Sequence, residues 1–101
     1  MSATAMQSSP RNHRMPQVFI PAQWRDLTEG QTQLEIDATT LRQVIEQLDA
    51  RFPGISARIV MDDRIRPTLQ VSIDGTLTSL GLRSEVSTAR EIHFLPALGG
   101  G

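Results

Sequence analysis

Apolar residues fall along this chain in two rhythms, one of period two and one of period three to four, and each marks a different kind of element. Gln17 to Ala22 (QVFIPA) alternates, which puts Val18, Ile20 and Ala22 on one face of a strand and Phe19 and Pro21 on the other. Proline lacks the N–H that a ladder needs, so the strand is expected to end near Pro21. Gln31 to Asp37 (QTQLEID) alternates again and places Leu34 and Ile36 together. Thr28-Glu29-Gly30 supplies turn residues between the two runs, so an antiparallel hairpin is expected.

From Thr40 the period changes. Leu41, Val44, Ile45, Leu48 and Phe52 occupy one helical face, with Arg42, Gln43, Glu46, Gln47, Asp49 and Arg51 on the other. Thr40 followed by Gln43 reads as a capping box, and Pro53-Gly54 as the stop, which predicts a helix of about 12 residues. Ile55 to Met61 suggests one further short turn of helix. Thr68 to Asp74 (TLQVSID) alternates strictly, with Leu69, Val71 and Ile73 inward, and Asp74-Gly75 signals a tight turn. A short strand is expected at Leu77 to Leu80. Glu91 to Leu95 (EIHFL) closes the pattern, with Ile92 and Phe94 inward and His93 and Leu95 outward. The order is β-β-α-β-(β)-β. One amphipathic helix covers one sheet face, so the class is α+β with the second face open and Phe19, Pro21, His93 and Leu95 lying on it.

At 101 residues the chain fits one domain. We read 1–16 as a flexible N-terminal tail, 17–96 as the domain, and 97–101 as a flexible Gly-rich C-terminal tail. Met15-Pro16 directly precedes the first strand, which makes Met15 an alternative start. There is no lysine and no cysteine, and the lack of cysteine excludes disulfides, thiolate catalysis and Cys-ligated metal. The net charge is −1, and eight Arg against eleven acids leave 17–101 at −3, so nothing points to nucleic acid or an anionic membrane. The longest apolar runs (Val18 to Ala22, Phe94 to Leu98) fall well short of the roughly 18 residues a spanning helix requires, and no signal-peptide segment is present, so a cytoplasmic protein is expected. His93 is expected to be solvated or satisfied rather than a metal ligand or base. Asp62-Asp63 with Arg64 and Arg66 reads as a solvated loop, and Trp24 as packing over the first hairpin.

The candidate chemistry lies after Pro96, where the chain runs Ala97-Leu98-Gly99-Gly100-Gly101. Glycine lacks a Cβ and lets a segment thread a narrow channel. Six extended residues span about 20 Å. The functional group delivered at the tip is the Gly101 carboxylate, a poor electrophile in water that needs activation, typically as an acyl phosphate anhydride made from ATP by a second protein. The chain itself carries no phosphate-binding loop, metal-ligand cluster or nucleophile–base pair. That pattern suits a carrier or substrate rather than a catalyst, with an inert end as the alternative.

Residues 17–101 resemble the bacterial ubiquitin-like sulfur-carrier family, which includes the thiamine carrier ThiS, the molybdopterin-synthase small subunit MoaD and the actinobacterial cysteine-synthesis carrier. The resemblance rests on the run from Val18 to Thr28 (VFIPAQWRDLT), on Thr40 to Ile45, on Phe52-Pro53-Gly54-Ile55, on Val71 to Gly75, and on Ile92 to Ala97 leading into the glycines. It implies a β-grasp fold, a mixed four- or five-stranded sheet with one main helix. It also implies no bound cofactor, and partners in an E1-like adenylating enzyme that spends ATP, a sulfur donor, and a downstream sulfur-accepting biosynthetic enzyme. By position, Gly101 is the residue adenylated and converted to a thiocarboxylate, Gly99 and Gly100 thread the partner's channel, and Phe19, Pro21, Leu77 and Leu95 form the partner-docking patch. Gly99 and Leu98 depart from the usual pattern, which bears on channel fit and not on chemistry. The exposed glycine ending implies that no maturation cleavage is needed. A protein modifier conjugated through Gly101, and a molybdopterin-synthase small subunit, are the alternative readings. Molybdopterin, thiamine, cysteine and specialised-metabolite sulfuration all remain open as pathways.

Overall fold

The computed structural model describes residues 15–97; the sequence-based readings of 1–14 and of Leu98 to Gly101 lie outside the described residues. Its elements, in chain order, are β1 (Gln17–Phe19), β2 (Gln33–Glu35), α1 (Leu41–Arg51), α2 (Ser56–Ile59), β3 (Val60–Met61), β4 (Arg64–Ile65), β5 (Leu69–Ile73), β6 (Thr76–Leu77) and β7 (Glu91–Pro96).

Thr40 starts α1 as its sequence position predicts. It is extended, and its Oγ1 accepts from the Gln43 N–H at 3.3 Å. The return half of the cap reaches one residue further than expected, because Gln43 Oε1 accepts from the Thr39 N–H at 2.8 Å and from the Thr39 hydroxyl at 2.7 Å. Four orphan N–H groups at a helix start demand such partners. At the far end Asp49 Oδ1 accepts from the Gly54 and Ser56 N–H groups at 3.0 and 3.1 Å, so one carboxylate closes the turn after α1 and holds the start of α2.

The apolar face of α1 lies on a five-stranded sheet of order β2-β1-β7-β5-β6, the β-grasp arrangement. β1 pairs antiparallel with β2 and parallel with β7, and β7 pairs antiparallel with β5. The register sets Leu34, Val18, Ile92 and Phe94 on the covered face, where they meet Leu41, Val44, Ile45, Leu48 and Phe52 in one core. β7 is central and ends in proline without penalty. β1 faces only Glu91 to His93, so the N–H that Pro96 lacks has no ladder partner to lose.

Four expectations are corrected. β1 stops at Phe19 and the chain leaves the sheet through a 3-10 turn over Ala22–Trp24, which exposes Ala22 and buries Trp24 against Phe94, ring centroids 5.3 Å apart. Asp62-Asp63 is not a simple loop. It is the turn of a β3–β4 ribbon, with both residues left-handed at φ 55° and 61°, and Asp63 accepts from Arg42 at 2.8 Å. The strand expected at 77–80 ends at Leu77, because Leu82 turns into the core through a 3-10 turn over Gly81–Arg83. Gln31 to Asp37 contributes only Gln33–Glu35 to its strand.

Asp74 and Gly75, at φ 52° and 87°, form the tight turn between β5 and β6. Asp74 Oδ1 also accepts from the Arg90 and Glu91 N–H groups at 2.8 and 2.9 Å, tying that turn to the start of β7. Asp74→Ala removes both bonds and sets a residue less tolerant of positive φ in the turn. A loss of about 2 kcal/mol is expected in chemical denaturation, with Asp74→Asn losing less.

Asp49 is held below the usual carboxylate range by the Ser56 and Gly54 N–H groups, and Asp63 by the Arg42 guanidinium. Both carboxyls therefore have folded values below their unfolded ones. The stability they add is present above the unfolded value of about 4 and is lost as pH falls through the folded values. Unfolding midpoints measured across the acid range should flatten in the Asp49→Asn/Asp63→Asn double variant; a slope equal to that of the parent would contradict the linkage.

Candidate docking face

The uncovered face of the sheet is built by the same alternation that builds the core. Outward residues line up across the strands by register, so Gln33, Phe19, His93, Ser72 and Leu77 form one row running from β2 to β6. Within it, Phe19 and His93 sit opposite each other on the parallel β1–β7 pair. Their rings stack at 4.2 Å with an interplanar angle of 5°. His93 Nε2 lies 3.0 Å from Glu91 Oε1, one residue pair back along the same face. The imidazole is thus satisfied by a stack and a carboxylate, as expected for it.

One step towards the end of β7 stands Leu95, opposite Gln70 and 38 % exposed. Phe19, Pro21, Arg25, His93 and Leu95 line a concavity of about 310 Å³. Arg25 shapes it by donating from Nε and Nη2 to the Ile20 carbonyl at 3.3 and 3.2 Å, which pins the chain where it leaves β1 and sets the direction of Pro21. The structure brings Phe19, Pro21 and Leu95 together. Leu77, 51 % exposed, shares the face but stands apart at the β6 edge, two strands from His93 with Ser72 between them, a distance of about 10 Å. Gly99, Gly100 and Gly101 lie outside the described residues, but their point of departure does not. The Ala97 N–H donates to the Thr68 carbonyl at 2.9 Å, so the chain is held beside the start of β5 up to Ala97, immediately beyond Leu95 and Pro96. A depression of about 470 Å³ lined by Trp24, Arg58, Arg66, Leu69 and Pro96 flanks that root.

The Phe19–His93 stack was not singled out from sequence. Parity places Phe19 and His93 on one face, but only the parallel pairing of β1 with β7 makes them neighbours. Chemically the face offers aromatic and aliphatic surface next to a departing chain end. Among the described residues no group of three His, Cys, Asp or Glu is placed to hold a metal ion. Nor is any helix among them long and apolar enough to cross a membrane.

Comparison with known proteins finds matches in both sequence and fold. Residues 18–101 match the sequence model of the ThiS family. No curated protein sequence matches the chain. Among solved structures, CysO in the Amycolatopsis orientalis BexX/CysO complex is similar at 29 % identity and a TM-score of 0.76, over 84 % of this chain and 98 % of that one. Mycobacterium tuberculosis CysO, an antigen, is similar at 26 % identity and a TM-score of 0.74, over 81 % of this chain and 98 % of that one. SAMP1 from Haloferax volcanii shares the fold at 17 % identity and a TM-score of 0.68, over 87 % of this chain and the whole of that one.

Proposed function

Because the chain belongs to the ThiS family of ubiquitin-like carriers, which are small carrier proteins rather than enzymes, we propose that it carries sulfur as a thiocarboxylate on Gly101. The observation that carries this reading is the extent of the family match, which runs from β1 through the terminal glycines. The Gly101 carboxylate attacks the α-phosphate of ATP on a separate adenylating enzyme, and pyrophosphate leaves. A donor of sulfide-level sulfur then displaces AMP from the acyl adenylate, the thiocarboxylate sulfur attacks an electrophilic biosynthetic acceptor, and water cleaves the acyl–sulfur bond, leaving the sulfur on the acceptor and restoring the Gly101 carboxylate. Gly99 and Gly100 allow the tail to thread the partner's channel, since neither has a Cβ to obstruct it.

The face around Phe19, Pro21 and Leu95, with Leu77 at its margin, receives the partner beside the tail. Its apolar groups lie next to the chain's departure point, where one partner can cover the face and accept the tail together. That one of the similar CysO chains is held in a complex with BexX supports a role in binding a partner protein.

Intact-mass and peptide mass spectrometry of protein isolated from its own host tests the proposal. A species heavier by one oxygen-to-sulfur exchange, located at Gly101, is expected. A Gly-Gly remnant on lysines of other proteins, without the sulfur species, would replace the carrier reading with that of a modifier. Neither species would overturn both.

A further inference from the structure

At the edge of the sheet far from β2, the segment leaving β6 folds against the β3–β4 ribbon. Between them lies a depression of about 470 Å³ whose lining includes Arg42, Asp63, Arg64, Leu80, Leu82 and Arg83. Its charge is unbalanced. The Asp63 carboxylate is taken by Arg42 at 2.8 Å, while Arg64 and Arg83, both exposed, make no side-chain hydrogen bond or ion pair among the described residues. Of the remaining arginines, Arg25 and Arg66 donate to backbone carbonyls and Arg58 to the Gln23 carbonyl and Asp26, while Arg51 and Arg90 are also exposed and without a side-chain bond among the described residues but do not line this depression. Residues 15–97 hold eight arginines and eleven acids. Acids are in excess over the whole domain, yet the acid lining this concavity, Asp63, is already paired with Arg42, and the neighbouring Asp62 lines the adjoining depression instead.

The apolar part of the depression is equally unsatisfied. Leu80 is 56 % exposed, the most exposed of the large hydrophobic side chains described. Its position is fixed rather than loose. The Leu80 N–H donates to Thr78 Oγ1 at 3.1 Å, Thr78 and Ser84 share a hydroxyl–hydroxyl hydrogen bond, and Ser84 Oγ donates to the Gly81 carbonyl at 2.7 Å. A pre-set apolar anchor flanked by free cations is complementary to a segment carrying a large apolar side chain between carboxylates. A small anion by itself would leave Leu80 uncovered and would find exposed side chains rather than convergent buried donors.

We propose that this depression docks an acidic segment of a partner protein, with an apolar side chain on Leu80 and carboxylates on Arg64 and Arg83. It shares no lining residue with the Phe19–Leu95 concavity or with the depression at the tail root, so it can be filled while the tail is engaged elsewhere. The inference stands independently of the sulfur-carrier reading.

The full isotope-labelled chain is titrated at low salt with the peptide acetyl-Glu-Asp-Leu-Phe-Asp-Glu-amide and followed by amide chemical shifts. Shifts confined to 63–65 and 80–83 are expected, weakening as salt is added. Affinity should fall by about tenfold or more in Arg64→Glu/Arg83→Glu. Arg64→Gln/Arg83→Gln replaces that variant if the reversal alters the spectrum elsewhere, and should also weaken binding. The proposal is overturned by an absence of shifts at millimolar peptide, by undiminished binding in the substituted chains, by equal binding of a peptide with serines in place of Leu-Phe, or by inorganic phosphate reproducing the same shifts at the same concentration.

Discussion

Deleting Gly101 is expected to abolish acyl-adenylate formation on the activating enzyme while leaving the unfolding midpoint of the chain unchanged. On the carrier reading the reacting carboxylate must reach the α-phosphate at the end of an extended tail, and removing one residue withdraws it by about 3.3–3.6 Å. A misplacement of only about 1 Å at a reacting centre already costs about 100-fold in rate, so loss of activation should be complete within detection. The fold has no stake in the deletion, since the core runs from Val18 to Phe94. ATP–pyrophosphate exchange with the cognate activating enzyme, alongside thermal unfolding, separates the two effects. Exchange at the parental rate in the shortened chain would sink the mechanism. Gly101→Ala keeps the carboxylate at full reach and adds one methyl, so it should retain part of the activity and report channel width instead.

Leu48→Ala should produce the largest loss of stability from a single core truncation on α1. Leu48 is fully buried in the C-terminal half of the helix face that packs into the core. Replacing it by alanine forfeits transfer energy and leaves a cavity, together about 2–5 kcal/mol. A folded unit of this length holds roughly 4–12 kcal/mol in total, so this one truncation consumes a large share of it. Urea denaturation should show a lower midpoint at unchanged slope. Glu46→Ala, on the exposed side of the same helix, should change stability by no more than about 0.5 kcal/mol. A loss below about 1 kcal/mol in Leu48→Ala would mean that α1 is not seated on the sheet as described.

How much of this was legible beforehand depended on how local the cause was. The spacing of Leu41, Val44, Ile45, Leu48 and Phe52 is a property of one segment, and so are the Thr40 cap and the Asp74-Gly75 turn; each forms where the pattern puts it. The β3–β4 ribbon was hidden because its turn is Asp62-Asp63, with both residues at positive φ and no glycine to announce it. β6 was overextended because Leu77 and Leu80 look like strand positions, whereas burial of Leu82 curls the chain out of the sheet. The candidate face was half legible. Parity gave Phe19, Pro21, His93 and Leu95 a common side, but the ring stack and the distance of Leu77 follow from pairing between segments remote in sequence.

The placement of β7 has a mechanical consequence. Its neighbours β1 and β5 flank it on either side, and it is the last strand before the C-terminal glycines. A pull on the segment beyond it along the strand axis loads the rungs on both sides as a group in shear, whereas a strand at the sheet edge would unzip one rung at a time. On the carrier reading, tension from a partner that grips the end would therefore be distributed across the middle of the sheet rather than unravelling the domain from the end that was held.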